Sequence, residues 1–177
     1  MSIALLSATK ASSATRSLYQ SIQERIGRIP NVYKVYGHSA AALKSNLALE
    51  DLLGQGELSP VDVEIIALVV GEWNDCAYCL AAHTALGKQH GLTEEQITNI
   101  RRGSSTKGRE QALIDFTRAI LAAKGDVGAP AVAAFTQEGY SVGAVIEVVA
   151  QIAKNVFNNY TNRLAATPID FPSATPR

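Results

Sequence analysis

Residues 58–83 read LSPVDVEIIALVVGEWNDCAYCLAAH, and two helices can be drawn through them. Ser59-Pro60 supplies an N-cap followed by proline at the first helical position, and Asp62 and Glu64 place acidic side chains in the opening turns. The apolar run continues to Trp73. Asn74-Asp75 breaks it and caps a second helix, which starts at Cys76 and closes at His90-Gly91. Helices joined by so tight a turn run antiparallel with equal rise per residue, so Glu64, about ten residues before the turn, and His83, about ten after it, stand at similar height. On the second helix Cys76 and Cys79 are i and i+3, and Cys79 and His83 are i and i+4, so all three share a face.

Outward from this pair the chain reads as helical almost throughout. Helices are expected over 12–25, over 31–53 with a break near Gly37, over 93–101 from a Thr93-to-Gln96 capping box, and over 110–124, 129–137 and 141–166. No alternating run flanked by turn residues marks a strand. Residues 103–108 form the clearest loop, and residues 167–172 an extended tail expected to wrap over a neighbour. The expected fold class is all-α, with 1–177 as one domain around a central antiparallel helix pair carrying the Cys-x-x-Cys motif. A shift of 83 residues sets Glu64 on Glu147, Cys76 on Asn159 and Cys79 on Asn162, which raises the expectation that the helix pair occurs twice, once without thiols.

Composition narrows the function. Sixteen basic and sixteen acidic side chains cancel, which gives no electrostatic reason to expect nucleic acid or an anionic membrane as partner. The only continuous apolar run near the start, Ile3-Ala4-Leu5-Leu6, is too short for a signal-peptide core, and no later stretch is long enough to span a bilayer. A cytoplasmic location is therefore expected, where a structural disulfide is disfavoured. With both cysteines three residues apart and none left over, a functional pair or two metal ligands outranks a staple.

The four residues make chemical sense together. Cα atoms three apart on a helix lie about 5 Å from one another, within disulfide reach, so the dithiol can close and reopen without large backbone movement. A carboxylate bonded to one imidazole nitrogen fixes the tautomer and raises the basicity of the other, which can then take a thiol proton. The free N–H groups at the helix start make Cys76 the more acidic and more exposed thiol on electrostatic grounds, with Cys79 one turn deeper and nearer His83. A zinc site built from the same four residues is the competing reading. Against it, short metal motifs draw ligands from loops, and only one Cys-x-x-Cys is present. Trp73 and Tyr78 are expected to wall the site. The cluster of Asn155, Asn158, Asn159 and Asn162 is expected at a helix contact or subunit interface.

Glu64 followed by Cys76-Ala77-Tyr78-Cys79-Leu80-Ala81-Ala82-His83 resembles the alkylhydroperoxidase D-like (AhpD-like) proteins of the carboxymuconolactone decarboxylase superfamily. Leu58-Ser59-Pro60, the run from Val63 to Val70, and residues 158–172 look like the family too, and the likeness is closest over 58–92. The chain differs at Tyr78, where the alkylhydroperoxidase itself has histidine, and in carrying the motif centrally rather than in the second half. The resemblance implies an all-helical fold, a homo-oligomer (trimer or hexamer), and thiol-dependent reduction of a hydroperoxide substrate, restored by a dithiol reductant protein. No flavin, haem or metal is implied. It further implies Cys79 as the peroxidatic thiol, Cys76 as the resolving thiol, and His83 with Glu64 as the proton relay. A lactone decarboxylase, known in the same superfamily, is an alternative that has no use for two redox thiols. A non-enzymatic redox sensor is another, separable by catalytic turnover with excess peroxide.

Overall fold

The computed structural model describes residues 3–174, and among these the chain forms nine α-helices and no strand. They are α1 (Ser13–Ile26), α2 (Asn31–Tyr36), α3 (Ala40–Leu53), α4 (Pro60–Trp73), α5 (Ala77–Gln89), α6 (Glu94–Arg102), α7 (Gly108–Ala123), α8 (Gly128–Gln137) and α9 (Val142–Ala165). The all-α expectation holds.

α4 is the axis of the molecule. Its residues 64–71 are all buried, because α5, α6, α7 and α9 pack around it, and a helix apolar on every side can be stable only when so enclosed. The capping box at its start is built from Ser59 and Asp62, and the buried Asp62 also accepts from Tyr140 Oη at 2.9 Å and pairs with Arg109 at 3.3 Å. Ile65, Ile66, Leu68 and Val70 lead the main core, which α7, α8 and α9 complete with Leu113, Ile114, Phe135 and Val148. A second cluster, of Tyr19, Ile22, Tyr36 and Leu43, joins α1, α2 and α3.

The break expected near Gly37 separates α2 from α3. A Cβ at Gly37 would overlap the Tyr19 hydroxyl and crowd Thr15, whose Oγ1 donates to the Gly37 carbonyl at 3.0 Å. Ser39 then caps α3. Two expectations are corrected. α5 starts at Ala77 rather than Cys76, which stands outside the helix as its N-cap. The proposed duplication fails as well, since the residues paired with Glu64, Cys76 and Cys79 all fall on α9, one continuous helix of 24 residues, whereas the originals sit on two.

The turn between α4 and α5 is held from outside. Asp75 takes a left-handed conformation (φ 51°), which aspartate tolerates better than most residues. Arg163 of α9 pairs with its carboxylate at 2.9 Å and donates to the carbonyl oxygens of Asn74 and Asp75. The tail packs on its own chain: Asp170 accepts from the Asn31 backbone N–H at 3.0 Å and pairs with Arg28 at 3.1 Å. No described helix is long and apolar enough to cross a membrane.

Candidate active site

The α4–α5 hairpin brings the expected quartet together. Glu64 Oε2 lies 2.8 Å from His83 Nδ1, with the carboxylate side chain 7% exposed and the imidazole 15%. Equal rise on the two arms sets this register. Gly71 lets the helices close, because a Cβ there would come within 3.3 Å of the Leu80 side chain. Cys76 and Cys79 are joined as a disulfide across a Cα separation of 5.3 Å.

The surroundings of the two sulfurs differ from expectation. Cys76 is 1% exposed and Cys79 3%, so the cysteine at the helix start is not the open one. Its sulfur serves as the cap of α5, accepting the Cys79 N–H at 3.3 Å, and it is buried with Tyr78 and Cys79 under Val32 and Phe171. The Tyr78 hydroxyl accepts from the Val32 N–H (3.2 Å) and donates to Asp170 Oδ1 (2.8 Å), while its ring meets Phe171 edge-on. Burial first, then the Asp170 carboxylate, pushes the Tyr78 phenol above its ordinary range, so it remains a donor. Tyr78 therefore both walls the site and ties down the tail. Trp73 does neither: it is 49% exposed and lies away from the cysteines, beside Arg101 and Arg118.

A cleft of about 800 Å³ opens onto this corner. Cys79, Glu64 and His83 line it; Cys76 does not. The opposite wall is α9, which contributes Gln151, Lys154, Asn158 and Asn162. The asparagine cluster thus divides. Asn159 accepts from Asn74 at a helix contact (3.0 Å), but Asn162 Nδ2 donates to Cys79 Sγ at 3.5 Å, and Asn158 Oδ1 accepts from Tyr36 Oη (2.7 Å) and Asn46 Nδ2 (2.6 Å). Lys154 was not singled out by sequence reasoning, nor was any cleft-facing role for Asn162. The available signal is the spacing 151, 154, 158, 162, a run of polar side chains at helical period on α9. Among the described residues, no group of three or more His, Cys, Asp or Glu stands close enough to hold a metal ion.

In fold, the chain superposes on the AhpD-core, peroxidase-related protein of Ralstonia eutropha with a TM-score of 0.85, over 94% of this chain and 90% of that one, at 19% identity. The molecule thus has the AhpD-like, all-helical fold. In sequence, the Carboxymuconolactone decarboxylase family pattern matches residues 40–123. The alkyl hydroperoxide reductase AhpD of Hyphomonas neptunium is 32% identical over 97 residues, covering 55% of this chain and 50% of that one. The AhpD of Azorhizobium caulinodans is 36% identical over 42% of this chain and 44% of its own. The matches thus span about half the length of these curated relatives.

Proposed function

We propose that this chain is a thiol-dependent peroxidase that reduces hydroperoxides through a Cys76–Cys79 dithiol and disulfide cycle. One observation carries the reading: a carboxylate-bonded histidine and a cysteine one helical turn before it line the same cleft, with a second cysteine within disulfide reach. The names of the AhpD relatives support it.

In the reduced protein His83, oriented by Glu64, takes the Cys79 proton. The thiolate attacks the terminal peroxide oxygen, the O–O bond breaks, and the departing alkoxide recovers a proton from His83, leaving Cys79 as a sulfenic acid. Cys76 attacks that sulfur, water leaves, and the disulfide forms. A dithiol reductant restores both thiols by exchange and is itself oxidised. The residues that line the cleft favour Cys79 as the attacking thiol, since Cys76 lies behind Tyr78 and Phe171. Homo-oligomerisation belongs to the same proposal and is supported by the apolar Val142, Ile146, Tyr160 and Leu164, each at least 60% exposed on α9.

Titration of free thiols after adding a stoichiometric hydroperoxide to the reduced protein tests the cycle. Two thiols are expected to disappear, and a dithiol reductant should sustain repeated turnover. Unchanged thiols would overturn the peroxidase, and a single round without turnover would favour the redox sensor.

A further inference from the structure

Lys154 has no role in the chemistry above, yet it stands in the same cleft. It is 8% exposed, and its ammonium makes no hydrogen bond or ion pair with any described residue. A largely buried lysine whose ammonium meets only the cleft, with no protein acceptor, is costly to hold. The carboxylates nearest in charge to it are already engaged elsewhere. Glu64 holds His83 at 2.8 Å, and Glu50 accepts from Tyr33 Oη at 3.0 Å with Arg25 at 3.7 Å. Burial, only partly offset by Glu50 and Glu64, draws the Lys154 amine below its ordinary pKa, which is the state of a cation lacking a contact anion.

The rest of the stripe is equally unfinished. Gln151 Oε1, one turn before Lys154, is buried without a partner. Asn162 donates to Cys79 Sγ through Nδ2, while its Oδ1 is buried and unpartnered. Two helical turns, about 12 Å of rise, separate Lys154 from Asn162. Val32, Val63 and Leu86 supply apolar wall in the same cleft. A cation at one end, an acceptor beside the reactive sulfur at the other, and apolar surface in the same space describe a ligand with a matching sequence of groups.

We propose that the cleft binds an amphipathic organic acid, its carboxylate held by Lys154 and its reacting group delivered to Cys79. This rests on Cys79 as the reacting atom and names the substrate class for the peroxidase: a hydroperoxide several carbons removed from a carboxylate. The hydroperoxide O–H donates to Asn162 Oδ1, which brings its terminal oxygen beside the sulfur. Lys154 is a binding residue here and moves no proton.

The test uses the reduced full chain and a probe without a peroxide. Octanoate and its neutral analogue octanamide are compared for their power to slow iodoacetamide alkylation of Cys79, read by mass spectrometry. Octanoate should protect at a concentration about tenfold lower than octanamide, the scale of one charge-assisted contact. Lys154→Met should abolish the difference and Lys154→Arg should retain most of it. The wild-type ratio carries the test even where the methionine variant fails to fold. No protection by octanoate, equal protection by the two probes, or an acid preference undiminished in Lys154→Met would each overturn the proposal. Alkylation requires a free thiol but no peroxide, so a protein inert to hydroperoxide still reports the acid preference. Peroxide turnover without that preference removes this inference and leaves the peroxidase standing.

Discussion

Glu64 and Lys154 are both buried charged side chains facing one cleft, but they make opposite demands on the fold. Glu64 has its partner in His83, so Glu64→Gln should leave melting nearly unchanged and slow hydroperoxide oxidation of Cys79 by about 100-fold, the lower range for a lost acid–base contribution. Stopped-flow oxidation kinetics and a melting curve check both halves, and an unchanged rate would remove the relay from the mechanism. Lys154 is different. Because burial lowers its pKa, the folded protein holds fewer protons than the unfolded chain between that lowered value and the ordinary pKa of about 10.4. The cost of the charge is full below this window and fades as pH rises through it. Lys154→Met should therefore melt higher than wild type at neutral pH, by about 2–4 °C per kcal/mol recovered, and the gain should shrink on the alkaline side. Calorimetry across pH decides this, and a lower melting temperature would mark Lys154 as structural. The sequence shows Glu64 and His83 as a pair because a tight turn at Asn74-Asp75 fixes their register. Lys154 reads as a surface lysine in a helix, since what buries it is the packing of elements distant in the chain.

At the level of elements, the α4–α5 hairpin was legible because its signals are local: a capped start, proline at the first position, an apolar run, and an Asn-Asp turn. Removing the cap, as in Ser59→Ala, should cost about 1 kcal/mol and lower melting by about 2–4 °C; thermal unfolding measures it. The start of α5 was misplaced by one residue, for a local reason that sequence patterns do not encode: a cysteine sulfur occupies the capping place usually filled by an oxygen. The tail was legible as extended but not in its destination, which depends on Asp170 finding Arg28, the Asn31 N–H and Tyr78. Its Phe171 lies on the buried cysteine cluster. Phe171→Ala should accordingly speed reduction of the disulfide by dithiothreitol several-fold, as followed by quenched thiol labelling. An unchanged rate would show that the tail does not govern access to Cys76.

Taken whole, the molecule is arranged around α4 within and α9 alongside. α9 gives one face to the core through Ala144, Val148 and Ile152, a polar stripe to the cleft, and an exposed apolar row to its surroundings. That threefold division explains why residues 141–166 read as a helix while the asparagine cluster within them reads only as a structural contact: periodicity tells which residues share a face, and only tertiary packing tells what each face meets. The same packing hides Cys76 and turns Cys79 toward the cleft, against the expectation drawn from the helix start alone. The most direct measurement is the fate of each thiol in isolation. Reduced Cys76→Ser and Cys79→Ser proteins are treated with a hydroperoxide in the presence of a sulfenic-acid trap such as dimedone, and the adducts are located by mass spectrometry. The account predicts an adduct at Cys79 in Cys76→Ser and little or none at Cys76 in Cys79→Ser; an adduct confined to Cys76 would contradict it.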